Sequence, residues 1–254
     1  VILFNEEESV KVRIVGEHTN VVLIEHNGRI ILKKDIAADC TASDMTDRSV
    51  LSIQDIVEFA NIAEIEDVQE ILDRQIAYNM AIAREGMKNN YGANIGKVLL
   101  HTYGDDVKTK ARAYAAAGSD ARMNGCSLPV VICSGSGNQG ITASVPVIVY
   151  AIELGIEKDR LYRALLVSNL ATIHQKTGIG RLSAYCGAIS AGCGSGAGIA
   201  YLLGDGYEEI SHTLVNGLAI VSGIICDGAK ASCAAKIATA VDAGIMGYAM
   251  YKQG

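Results

Sequence analysis

Leu182-Ser-Ala-Tyr-Cys-Gly-Ala-Ile-Ser-Ala-Gly-Cys-Gly-Ser-Gly-Ala-Gly-Ile-Ala-Tyr-Leu-Leu-Gly204 carries no charge from end to end. Its length would let a helix cross a bilayer. Its composition argues against that: Gly, Ala and Ser dominate, few Leu, Ile or Val supply transfer energy, and no aromatic belt or basic flank completes the pattern. The segment is therefore read as a buried helix that packs through small residues, and no membrane partner is expected. The rest of the chain agrees. With 27 glycines, no Trp and two Phe, its core must be built from small and aliphatic side chains.

Outward from this segment the helical period continues on both sides. Toward the C-terminus, helices are expected at about 207–223 and 228–250. Toward the N-terminus they are expected at about 141–154, 158–174 and 106–124. Val68, Ile71, Leu72 and Ile76 mark another over 66–88, and Ser52 or Asp55 caps one carrying Ile53, Ile56, Val57 and Ala60. Residues 90–105 read as a connector. The first 35 residues change period: Val10, Val12 and Ile14 alternate with Lys11 and Arg13, Val21–Glu25 follows, and Asn27-Gly28 signals a type I′ hairpin into Ile30–Leu32. Three strands expose an edge and need further partners. The fold class is α+β, a small antiparallel β section packed on a mostly α-helical domain. The divisions expected are 1–50, a helical connector 51–105 and a helical domain 106–254.

Half of the 254 residues are apolar and a fifth charged, which excludes a disordered chain. The net charge of −6, with no Lys/Arg cluster, argues against nucleic-acid or anionic-membrane surfaces. The seven cysteines, at 40, 126, 133, 186, 193, 226 and 233, are odd in number and no signal peptide is evident. A reducing cytoplasm is expected, where clustered thiols point to metal or catalysis more than to bridges.

Four of these cysteines form two equal steps, Cys186 to Cys193 and Cys226 to Cys233. Seven residues on a helix return to nearly the same face about 10 Å further along. That is awkward for one Zn²⁺ with bonds near 2.3 Å and easier for an iron–sulfur cube. Thiols serving only as small buried apolar groups fit the spacing as well, and all three readings stay open on spacing alone. Ser134-Gly-Ser-Gly-Asn-Gln-Gly140 precedes a helix and could present an anion site for a carboxylate or phosphate, or be a plain loop. It lacks a P-loop lysine and a βαβ setting. Gly192–Gly198 could be a phosphate cup of a pyridoxal phosphate enzyme, with Lys176 or Lys230 forming the Schiff base; glycines for close helix contact suit its position better. Arg181, Lys230, Asp227, His18-Thr19-Asn20, Asp120 and Arg122 are polar residues at places a core would leave apolar. Together they suggest one polar pocket.

Five motifs, Gly16-Glu-His-Thr-Asn20, Ser119-Asp-Ala-Arg-Met123, SGSGNQG at 134–140, Gly180-Arg-Leu-Ser-Ala-Tyr-Cys186 and Ile225-Cys-Asp-Gly-Ala-Lys230 with Cys233, run in order along the chain. In these the sequence resembles the L-cysteine desulfidase family, related to the α-chain of iron–sulfur L-serine dehydratases. The resemblance implies conversion of L-cysteine to pyruvate, ammonia and sulfide with an oxygen-sensitive [4Fe–4S] cluster and no pyridoxal phosphate. It implies Cys186, Cys226 and Cys233 as cluster ligands, without Cys193, leaving one iron open for substrate. Ser134, Gly135, Ser136 and Asn138 would hold the substrate carboxylate, and His18, Thr19 and Asn20 would close the pocket. Lys230 and Arg181 would balance charge as candidate catalytic groups. L-serine or L-threonine dehydration by the same chemistry, or a non-catalytic metal-binding domain, is the rival.

The sequence departs from this family in one respect. A Gly-Cys-Thr-Glu-Pro motif, whose cysteine is the candidate base, is absent from these residues, and the first residue is Val1. The expectation is an incomplete portion with little turnover by itself. Its partners would be a small amino-acid substrate and either a second copy in a homodimer or the rest of its own polypeptide.

Overall fold

The computed structural model describes residues 1–15, 19–35, 47–180 and 183–254. They divide into one unit within residues 1–49 and a second formed by 50–179 and 183–254. The first is an antiparallel meander of β1 (Ile2–Asn5), β2 (Glu8–Ile14), β3 (Val21–His26) and β4 (Arg29–Lys33), neighbours in that order. Asn27 and Gly28 have φ of 49° and 78°, the two positive values that a type I′ turn needs. The strand β1 corrects the sequence reading, which finds three strands and looks for partners among this chain's helices or in strands not present in it. Ile2, Leu3 and Phe4 give no alternation, yet they pair with β2 from Ile2↔Lys11 to Asn5↔Glu8. A run of like residues hides a strand from a period-two test.

Among the described residues the second unit has nine helices. They are α1 (Ile53–Ile62), α2 (Glu66–Lys88), α3 (Ile95–Tyr103), α4 (Val107–Met123), α5 (Gly137–Leu154), α6 (Lys158–Ile179), α7 (Gly187–Leu202), α8 (Tyr207–Val221) and α9 (Ser232–Gln253). The uncharged segment supplies α7, which is buried along almost its whole length. Its glycines work on two sides. A Cβ on Gly192 would stand 2.4 Å from the Ala240 carbonyl carbon, and one on Gly196 would stand 2.6 Å from the Gly244 oxygen, both on α9. Two residues round the helix, Gly194 and Gly198 face α6, where the added carbons would stand 2.2 Å from Thr172 Oγ1 and 2.8 Å from Ser168 Cβ. These are the close helix contacts expected of small residues, and they leave no room for a phosphate cup. No described helix is long and apolar enough to cross a membrane.

Around α7 the same economy of side-chain volume recurs. The buried face of α4 is largely alanine, and Gly86 of α2 and Gly96 of α3 lie against its Ala117 and Ala113 carbonyls. Ser52 caps α1, its Oγ accepting from the Asp55 N–H at 3.1 Å. The helix α3 lies within the expected helical connector 51–105, at a place where the sequence pattern marks no helix of its own. Its N-terminus is satisfied from a distance: buried Asp120 on α4 accepts from the Ile95 N–H at 2.7 Å. No local cap announces it, so the sequence pattern misses it. The apolar run before the 134–140 loop is held by Asn79, which accepts from the Val131 N–H at 2.9 Å and donates to its carbonyl at 3.2 Å. A side-chain amide there does the work of a neighbouring strand.

Candidate functional site

The 134–140 loop is a closed turn. The Cys133 N–H donates to the Ser136 carbonyl at 3.2 Å and the Ser136 N–H returns to that of Cys133 at 3.1 Å. Between them Ser134 and Gly135 hold φ of 47° and 85°, which costs Gly135 nothing and explains a glycine there. Ser136 sits at the N-cap of α5, but its hydroxyl makes no capping bond, and it is free to face a ligand. Arg122 fills the space beside Gly137 and donates from Nη1 to Asn138 Oδ1 at 3.3 Å. Gln139 is buried, and its Oε1 accepts from no described group. Its carboxamide lies against Gly187, where a Cβ would be 2.4 Å from Nε2. The loop thus runs alongside the start of α7, one residue from Cys186.

Cys186 occupies the N-cap of α7 and belongs to a short antiparallel bridge in which Tyr185 opposes Ile225. The Cys186 N–H donates to the Ile224 carbonyl at 3.2 Å, and the Cys226 N–H to that of Ala184 at 2.7 Å. Alternation across that bridge puts the Cys186 and Cys226 side chains on one face, diagonally related and so about 7–8 Å apart at the backbone. Cys233 lies in the first turn of α9, its N–H bonded to the Lys230 carbonyl at 3.0 Å. The Cys186 thiol is pushed up by burial first, with negative charge on Cys226 and Cys233 adding to the rise. Cys226 and Cys233, remote in sequence from Cys186, are thus both within electrostatic reach of its thiol. Cys193 does not join them. It is fully buried inside α7 beside Gly217, and burial pushes its thiol up to about 12.

Among the described residues no group of three or more His, Cys, Asp or Glu could hold a metal ion as it stands. The donor chemistry, three soft thiols with cations nearby, suits an iron–sulfur group.

The cations are distributed differently from the sequence expectation. Lys230 is more than half exposed and pairs with Asp227 at 3.1 Å. Lys236, not singled out from the sequence, is the more enclosed: it donates to the Ile225 carbonyl at 3.2 Å and pairs with Asp227. The Asp227 hydrogen bond favours its charged form first, and charge on Cys186 and Cys233 adds to that. Its place three residues after Cys233 on α9, on the same face, was the available signal. Asp227, held by Lys236 first and Lys230 second, is pulled down to about 2. Buried Lys176 on α6, considered from the sequence only as a Schiff-base lysine, is a further cation near these thiols.

Of the remaining expected residues, His18 and Arg181 lie outside the described residues. Thr19 and Asn20 belong to the first unit and form a tight turn before β3. The Val21 N–H donates to the Thr19 carbonyl at 3.0 Å, and Asn20 Nδ2 to the Val15 carbonyl at 2.9 Å. In the second unit a cavity of about 360 Å³ opens beside Cys186, walled also by Gln175, Ile189, Ser190, Leu218 and Ser222. It is mostly apolar and large enough for a small amino acid.

Comparison with known proteins places this helical, cysteine-bearing chain in a family. Residues 26–254 match the model of the serine dehydratase alpha chain, and the protein belongs to that family. It is 65% identical over 252 residues to a UPF0597 protein of Desulfitobacterium hafniense, covering 99% of this chain and 58% of that one. A UPF0597 protein of Lachnoclostridium phytofermentans is 57% identical over 240 residues, covering 94% and 57%. One from Treponema denticola is 49% identical over 246 residues, covering 95% and 57%. The chain thus spans less than two thirds of the length of these relatives. No solved structure matches it.

Proposed function

We propose that this chain carries the thiol ligands and the carboxylate-binding loop of a lyase that eliminates sulfide from L-cysteine, leaving pyruvate and ammonia. The observation that supports it most is the meeting of Cys186 and Cys226 on one face of a two-segment bridge, with Cys233 in electrostatic reach and Gln139 of the 134–140 loop against Gly187. Membership of the serine dehydratase alpha-chain family supports a lyase. Cys186, Cys226 and Cys233 would hold a [4Fe–4S] cluster, which would supply a Lewis-acidic iron for the leaving group.

The chain's own residues do the positioning. Ser134, Gly135, Ser136 and Asn138 would receive the substrate carboxylate at the start of α5, where unpaired helix N–H groups favour an anion. Arg122 fixes the Asn138 carboxamide and adds a positive charge behind it. Lys236 and Lys230 balance negative charge around the thiols, with Arg181 in the same role. In the elimination, a base takes the Cα proton, its electron pair forms the Cα–Cβ double bond, and the sulfur leaves with the pair from the Cβ–S bond. The aminoacrylate then takes up water and releases ammonia. The reading gives pyridoxal phosphate no role.

The family description favours one second reading, dehydration of L-serine or L-threonine with water as the leaving group. Pyruvate yields from cysteine and serine, measured on the full-length polypeptide prepared without oxygen, separate the two. A clear preference for cysteine supports the first reading, and a clear preference for serine replaces it with the second.

A further inference from the structure

We infer that Lys176 is a positioning residue of the thiol site, a buried fixed cation that offsets the negative charge of the Cys186 and Cys226 ligands and keeps the bound cluster in place. The inference rests on the cluster reading above and adds a residue to it.

The helix rows carry the argument. On α6, Ser168, Thr172 and Lys176 follow one another at four-residue steps and so form one ridge. The first two lie against Gly198 and Gly194 of α7. The helices run antiparallel there, so one more turn along α6 meets the preceding turns of α7, at Ser190 and then Cys186. The neighbouring side chain confirms the level: Gln175 Nε2 donates to the Ser190 carbonyl at 3.3 Å, and Gln175 shares a cavity wall with Cys186.

At that level Lys176 is only 4% exposed. No described carboxylate pairs with its ammonium. Burial alone would favour losing the proton, and the opposing influences are the charges of Cys186 and Cys226. Of the described cations near these thiols, Lys236 is engaged by Asp227 and the Ile225 carbonyl, and Lys230 by Asp227. A buried cation without a carboxylate is costly unless an anion is brought to it. Thiolate ligands are that anion.

The test uses the full-length protein, reconstituted without oxygen from ferrous iron and sulfide, as wild type, Lys176→Met and Lys176→Arg. Iron per chain, the rate of iron loss to a chelator and the reduction potential are measured, with circular dichroism to confirm folding. Lys176→Met should lose iron about tenfold faster than wild type and shift the potential downward, since a positive charge near the electron is gone. Lys176→Arg should stay close to wild type in both. If Lys176→Met does not fold, Lys176→Gln takes its place. A neutral variant matching wild type in iron loss and potential overturns the inference. So does an arginine variant as impaired as the neutral one with the potential unmoved, since shape and not charge would then be at stake. Wild type that takes up no iron overturns the cluster reading itself, whereas normal loading beside an unaltered neutral variant overturns this inference alone.

Discussion

Cys193 follows Cys186 at the same seven-residue step by which Cys233 follows Cys226, yet the two pairs end in different surroundings. Cys193 is sealed in α7 among helix backbones, and its thiol is held protonated. Cys186 stands at the entrance of the same helix, beside the bridge to Ile225. Cys226 lies on that bridge, and Cys233 follows after a turn. Equal spacing therefore does not mean equal role. What separates the pairs is where the helix begins: after the first cysteine in one case, just before the second in the other.

The largest expected effect tests this division directly. Replacing Cys186, Cys226 or Cys233 with Ala should remove nearly all iron from the reconstituted full-length protein. Cys193→Ala should keep wild-type iron and lose only about 1 kcal/mol of stability. Iron analysis and denaturant unfolding read the two results, and equal iron loss at Cys193 would erase the contrast between the pairs.

Next in size is a substitution that touches no sulfur. Gly196→Val should cost about 3 kcal/mol or more, because the new side chain meets the Gly244 backbone and α9 cannot yield cheaply. Thermal unfolding measures it. A variant as stable as wild type would mean that α7 is not clamped.

A smaller effect comes with pH. Burial raises the Cys193 thiol from 9.0 to about 12. Between those values the folded state holds a proton that the unfolded chain has lost, so stability is full below about pH 9 and declines as pH rises toward about 12. Denaturant unfolding from pH 8 upward should show less decline in Cys193→Ala than in wild type.

The smallest effect concerns Asp227. Lys236→Met should raise its carboxyl from about 2 by more than Lys230→Met does, since the Lys236 bond is the leading cause of the depression. Carboxylate titration by NMR reads the difference, and the reverse order would restore Lys230 as the principal partner.

Much of the helical unit was legible because its signals are local. The uncharged run announced α7, Ser52 announced α1, and Asn27-Gly28 announced the turn between β3 and β4. Two elements were not. Ile2–Asn5 lacks alternation, and α3 takes its N-terminal partner from Asp120, remote in sequence. The same distinction governs the site. The gathering of Cys186 with Cys226 depends on a bridge between segments about forty residues apart, which spacing alone left as one reading among three. Lys236 could have been found from its helical distance to Cys233. Lys176 could not, because its burial depends on how α6 lies against glycines of another helix.

Those glycines have a mechanical consequence. With backbone against backbone toward α9 and only small Ser and Thr side chains toward α6, α7 has little soft side-chain layer to absorb a displacement. Gly196 lies about 15 Å along the axis from Cys186, yet the rod between them is stiff. A shift of α6 or α9 by the width of one methyl group would reach that sulfur almost undiminished, so the spacing of the thiols is set by the smallest atoms in the bundle.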